Sequence, residues 1–156
     1  MTDEEDIDWT ATAGSFKYRA AAVVRDGERL LVCAVDHIDG WFLPGGRVQF
    51  GETSAAALAR ELREELELDL TVPDDPLLIA EGIRGDAAGA IHQEICFYYT
   101  VRWPDGVPPG EVHRLTGHRF RWIGEADLST LVFLPPEITP YLSAKTGVQH
   151  LAFDRR

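Results

Sequence analysis

The sequence predicts an α/β (α+β) fold, a sheet covered by helices. Three observations carry that expectation: an opening pair of β-rich runs separated by a turn signal, one strongly periodic amphipathic helix, and several later strand signals broken by Gly- and Pro-rich segments. At 156 residues with 45% hydrophobic content, the chain is long enough to bury one sizeable core, so a single domain over residues 15–156 is expected. Residues 1–14, acidic and then small, read as a mobile N-terminal arm.

Tyr18 to Val24 and Arg29 to Val35 are the opening strands, and Asp26-Gly27 between them signals a hairpin. Trp41-Phe42-Leu43-Pro44-Gly45-Gly46 is a short apolar segment stopped by Pro and two glycines. From Thr53, a fitting N-cap, Ala55, Leu58, Ala59, Leu62 and Leu66 recur at helical spacing to about Glu67. Strands follow at Leu77 to Arg84 and Ile91 to Val101, joined by the turn-like Gly85 to Gly89. Trp103 to Gly117 reads as a loop and Phe120 to Ile123 as a short strand. Asp127 to Leu131 reads as a helical turn, Pro135 to Ala144 as a second helix, and Val148 to Phe153 as a closing strand.

Charge narrows the partners. Fifteen Lys and Arg against 26 Asp and Glu give a net −11, which repels nucleic-acid polymers and anionic lipid. An anionic small molecule is still accommodated where a divalent ion inverts the local field. Cys33 and Cys96 lie in apolar strand-like runs and read as small buried hydrophobes, not as a disulfide or metal framework. The acidic N-terminus resembles no signal peptide and no apolar run approaches the length of a membrane span, so a cytoplasmic protein is expected.

Glu61, Glu64 and Glu65 stand at i, i+3 and i+4 on the central helix, which gathers three carboxylates on one face. Two readings fit that face. One is an ordinary solvated face salt-bridged to Arg60 and Arg63. The other is a site for a hard divalent cation, because the carboxylates border the Leu58-Leu62-Leu66 stripe, where uncompensated charge is unfavourable. Gly45-Gly46, just before the helix, allow backbone to approach a metal or phosphate without an intervening Cβ.

From Gly46 to Leu68 the sequence resembles the Nudix box, Gly-x5-Glu-x7-Arg-Glu-U-x-Glu-Glu-x-Gly-U, where U is a bulky aliphatic residue. Gly46, Glu52, Arg60, Glu61, Leu62, Glu64, Glu65 and Leu68 stand in register at its fixed places. The resemblance implies a Nudix α/β/α sandwich with a mixed β-sheet. It also implies hydrolysis of a phosphoanhydride by activated water, in a nucleoside diphosphate linked to another moiety or in a nucleoside triphosphate. It implies Mg²⁺ or Mn²⁺ as cofactor, held by Glu61, Glu64, Glu65 and the carbonyl of Gly46, with Glu61 or Glu64 as candidate bases. Glu52 and Arg60 are implied as an ion pair supporting the loop before the helix. A small nucleotide-type substrate is the expected partner, with a homodimer as an open state. The alternative function is a nucleotide or sugar-nucleotide sensor without turnover.

Two positions depart from the family pattern. Glu67 stands where the family has Gly, and a helix exit in another geometry is the expected adjustment. Gly117 stands where many relatives carry a further Glu, which makes Glu94 the candidate replacement base, with Glu111 behind it. Alternation puts Glu94 on one strand face with His92, Cys96 and Tyr98, and Gln93, Ile95, Phe97 and Tyr99 on the other. Which face meets the site is left open. Trp41, Phe97, Tyr98 and Tyr99 are candidates for base stacking or for core.

Overall fold

The structure, a computed structural model, describes residues 5–109, 117–143 and 146–156. The strands are β1 (Asp8–Ala11), β2 (Gly14–Asp26), β3 (Arg29–Val35), β4 (Gly45–Arg47), β5 (Leu78–Gly85), β6 (Ile91–Arg102), β7 (His118–Gly124) and β8 (Gln149–Arg155). Among the described residues the one α-helix, α1, spans Ser54–Leu66. Among the described residues no helix is long and apolar enough to cross a membrane.

All eight strands join one mixed sheet in the order β7-β3-β2-β6-β5-β8, with β1 and β4 also on β2. β2 pairs in parallel with β6 along its whole length, and β5 pairs in parallel with β8; the other pairings are antiparallel. The other edge of β2 is shared by three short partners in turn: β1 at Gly14–Lys17, β4 at Arg19–Ala21 and β3 at Arg25–Asp26. β3 therefore touches β2 only beside the hairpin and then turns away to pair with β7. The opening left between β2 and β3 is where β4 inserts, bringing the Gly45-Gly46 backbone to the centre of the fold.

Alternation along β2 produces two cores. Ala20, Ala22 and Val24 pack with Leu58, Leu62 and Leu66 of α1, together with Tyr99 and Val101. Ala21 and Val23 pack on the opposite face with Leu43, Cys96, Tyr98, Ile138 and Leu142. Leu58 and Leu62 are fully buried, a contribution of about 1.5–3 kcal/mol for each side chain. Both cysteines are free and buried, as expected of small hydrophobes.

α1 begins as the sequence predicts, with the Thr53 hydroxyl accepting from the Ala56 amide at 3.2 Å. Its end differs from expectation. Glu67 is left-handed, φ 56° and ψ 31°, and its N–H donates to the Arg63 carbonyl at 3.0 Å. The exit thus keeps the geometry of a glycine cap while carrying a side chain.

Two further differences are local. The expected second helix at Pro135 to Ala144 is a short 3-10 segment, Pro136–Tyr141, because Pro140 has no N–H for a continuing α-helical ladder; Ala144 lies outside the described residues. The stretch expected as an arm contains β1, so the sheet starts before residue 15. Alternation lets Trp9 stack on Phe16 across the pair, with ring centroids 4.5 Å apart.

Candidate active site

β4 carries the glycines against α1. The Pro44 carbonyl accepts from the Ala22 amide at 2.8 Å, locking the segment onto β2. A Cβ at Gly45 would run into the Ala20 carbonyl, and one at Gly46 into the Glu61 carboxylate. Gly45 is therefore demanded by close backbone approach, whereas a side chain at Gly46 would require the Glu61 carboxylate to move.

Arg60 is the hub of the segment. Its guanidinium grips Glu52 through two hydrogen bonds, Nε to Oε1 at 2.7 Å and Nη2 to Oε2 at 3.0 Å. It also donates to Glu61 Oε1 at 2.8 Å and to the Arg47 carbonyl at 3.0 Å, and stands 3.5 Å from Glu64. Glu52 in turn accepts from the Gln49 amide at 3.0 Å. These bonds hold the Glu52 carboxyl below the usual carboxylate range, with Arg60 as the main cause. Loop, strand and helix are thereby tied at one point, the place the box resemblance implied for Glu52 and Arg60.

The three box carboxylates differ in environment. Glu64 is half-exposed. Burial raises the Glu61 pKa, opposed by Arg60. Glu65 is only 6% exposed, and its Oε2 is buried without a hydrogen-bond partner. Burial first, and then the charge of Glu61, push its pKa up to about 8. Among the described residues no group of three or more His, Cys, Asp or Glu side chains converges closely enough to grip an ion. Arg60 pairs with Glu61 and stands near Glu64, while Glu65 is buried.

His118, at the start of β7, was not singled out by sequence. Its Nε2 stands 4.0 Å from Glu65 Oε1, and its Nδ1 is buried without a partner. The position next to Gly117, already noted as a departure, was the available cue. Arg19 was also missed. It opens the Ala20-to-Val24 run of β2 as a charge next to buried alanines, and that contrast was its signal.

Glu94 does not stand beside the helix. The even residues of β6 face the core away from α1, so Cys96 and Tyr98 pack there while Tyr99 lies on the α1 side and bonds Ser54 at 2.7 Å. Glu94 instead faces Arg19, at 3.7 Å. Of the two faces left open by the sequence, Glu94 is on the one that carries Cys96 and Tyr98, and its ion-pair partner among the described residues is Arg19. Glu111 lies outside the described residues. Tyr98 and Tyr99 are buried core, whereas Trp41 is half-buried beneath the guanidinium groups of Arg119 and Arg121, 5.8 and 6.0 Å from its ring centroid.

The fold is thus an α/β domain, a mixed sheet between α1 and 3-10 segments, with acidic side chains of one helix set against a double-glycine strand. The chain belongs to the NUDIX domain family, whose model matches residues 16–142. It is similar to a Mycobacterium tuberculosis protein named "Putative 8-oxo-dGTP diphosphatase 2", 34% identical over 97 residues that make up 62% of each chain. The matched stretch is thus under two thirds of that relative's length. Among solved structures it is similar in fold to a MutT protein from Bacillus halodurans, with 15% identity, a TM-score of 0.67 and coverage of 88% of this chain and 90% of that one. It is likewise similar to a MutT NUDIX hydrolase from Burkholderia pseudomallei, with 21% identity, a TM-score of 0.63 and coverage of 83% and 98%.

Proposed function

We propose that this protein hydrolyses a phosphoanhydride of a nucleotide with a bound Mg²⁺ or Mn²⁺, in a cytoplasmic setting where such nucleotides are found. The observation that carries the reading is Glu65: a carboxylate buried beside Glu61 and the Gly45-Gly46 backbone, with one oxygen lacking any partner. A buried carboxylate without a partner is costly, and a hard cation removes that cost. The donor set fits such an ion, because carboxylates and a backbone carbonyl suit Mg²⁺ and Mn²⁺.

Glu65, Glu61, Glu64 and the Gly46 carbonyl would hold the ion. The ion, when bound, supplies a lowered pKa for water and neutralises charge on the phosphate oxygens. Arg60 and Glu52 keep the β4–α1 loop in place so that Gly46 stays against Glu61. Glu61 and Glu64 are the residues assigned to accept the proton of the attacking water. Glu61 is the more sheltered of the two and Glu64 the more open. A sensor without turnover is the weaker reading, since it gives no reason for the buried, partnerless carboxylate oxygen of Glu65 beside Glu61.

The name carried by the M. tuberculosis relative supports nucleoside triphosphates, oxidised purines included, as the first substrate class to try. The test is product analysis over a panel of nucleoside triphosphates, 8-oxo-dGTP and nucleoside diphosphates linked to a sugar or second nucleoside, with Mg²⁺ or Mn²⁺. Nucleoside monophosphate with pyrophosphate, or two monophosphates, is expected for at least one member. No metal-stimulated cleavage of any member would reject the reading.

A further inference from the structure

Residues 5–8 lie against the loop that enters α1, and their contacts answer a problem of charge. The register places Arg47 of β4 opposite Arg19 of β2, and like charges directly opposite each other weaken strand pairing. The Gly46 carbonyl belongs to the peptide bond that joins Gly46 to Arg47, so loosening at Arg47 acts on it directly. Two carboxylates from the N-terminal segment offset the repulsion. Arg47 Nη1 stands 3.3 Å from Asp6 Oδ2, and its Nε stands 2.8 Å from Asp8 Oδ2. Asp8 is in turn opposite Lys17, the next cation on that face of β2.

A ring of backbone hydrogen bonds fixes the segment at the same place. The Ile7 N–H donates to the Val48 carbonyl at 2.8 Å, the Val48 N–H to the Tyr18 carbonyl at 2.9 Å, and the Tyr18 N–H to the Ile7 carbonyl at 3.1 Å. Three stretches of chain are thus tied in a closed cycle where the edge of β2 passes from β1 to β4. Farther along the loop, the Phe50 N–H donates to the Glu5 carbonyl at 3.1 Å, and Gln49 Nε2 donates to Asp6 Oδ1 at 3.4 Å. The Gln49 backbone N–H donates to Glu52, the carboxylate that Arg60 grips. The loop is therefore held at two places, by Arg60 from α1 and by residues 5–8. Ion pairs as exposed as those of Arg47 add little stability; their effect is on where the Gly46–Arg47 peptide lies.

Resting on the hydrolase reading, we propose that Asp6 and Asp8 are positioning residues for the metal site. By holding Arg47 against the repulsion of Arg19, they keep the Gly46 carbonyl where the ion needs it. They touch neither the ion nor the substrate, and act through Arg47 alone.

The test is the Mn²⁺ affinity of the full chain, by calorimetry, in a cycle that combines Asp6→Asn with Asp8→Asn and sets the pair against Arg47→Gln. In the wild-type background the two Asn changes should weaken Mn²⁺ binding about tenfold, the lower end of what losing a partner that supports a metal ligand costs. With Arg47→Gln present, where no repulsion is left to offset, the same changes should cost no more than about twofold. A long-range effect of removing two negative charges would instead appear equally in both backgrounds. Hydrogen exchange of the metal-free protein gives a second readout. The Val48 and Phe50 amides should exchange about fivefold faster or more in the Asp6→Asn, Asp8→Asn protein, while the amides of β6 keep their rates. This readout decides the matter if Arg47→Gln fails to fold. Equal losses of affinity in the two backgrounds, unchanged Mn²⁺ affinity in the Asn-substituted protein, or unchanged exchange at Val48 and Phe50 would overturn the proposal. Wild type that binds Mn²⁺ with this dependence on Asp6 and Asp8 yet cleaves no nucleotide would reject the hydrolase reading alone.

Discussion

The Glu61 carboxylate lies over the α-carbon of Gly46, in the space where any Cβ would stand. A side chain at Gly46 would therefore make the Glu61 carboxylate move. Gly46→Ala should displace Glu61, and a misplacement of about 1 Å at a reacting centre costs on the order of 10²-fold in rate. Steady-state kinetics on the substrate found in the panel, alongside thermal unfolding, checks this: kcat should fall steeply while the protein remains folded. Near-normal kcat would mean that Glu61 can work from elsewhere.

Glu67 offers a gain in stability. A side chain held left-handed at the end of α1 is strained by about 1–2 kcal/mol, of which Gly would recover only part because it also loosens the unfolded chain. Glu67→Gly should stabilise the fold by up to about 1 kcal/mol, a rise in Tm of about 2–4 °C for a chain of this size, without altering activity. Denaturant unfolding measures it. A clear loss of stability would show that the contacts of the Glu67 side chain outweigh the strain.

Much of this was legible in residues 46–68, and the reason is local. Helical period, the Thr53 cap and the spacing of Glu61, Glu64 and Glu65 are properties of consecutive residues. Tertiary relations were less legible. The splaying of β3 from β2 that lets β4 in depends on a competition among three strands for one edge, and no single strand announces it. The parity of β6 could not be chosen because Cys96 with Tyr98 and Phe97 with Tyr99 are equally apolar; register with β2 decides it and turns Glu94 toward Arg19. The exit at Glu67 was misread because the cost of a left-handed Glu is small enough for tertiary packing to carry.

Glu65 makes the metal-free protein sensitive to pH. Burial raises its pKa in the fold to about 8, above the ordinary glutamate value, so the folded state favours the protonated acid. The associated stability is fully present below about pH 4.5 and is lost as pH rises through about 8, a few kcal/mol in order of magnitude. Chelated wild type should therefore lose stability across that window relative to Glu65→Gln, which carries no charge to bury. Adding Mg²⁺ or Mn²⁺ should restore wild type at the alkaline end and leave Glu65→Gln little changed. Parallel pH profiles of the two metal-free proteins would contradict the burial argument.

The most direct test is turnover under metal control in three proteins: wild type, Glu64→Gln and Glu65→Gln. After complete chelation wild type should be inactive, and readdition of Mg²⁺ or Mn²⁺ should restore it in a saturable way. The two variants should stay folded and yet remain slower by on the order of 10²-fold or more at metal concentrations that saturate wild type, since a neutral amide is a poor ligand for a hard cation. Undiminished activity after chelation, or wild-type rate and metal affinity in either variant, would contradict the account.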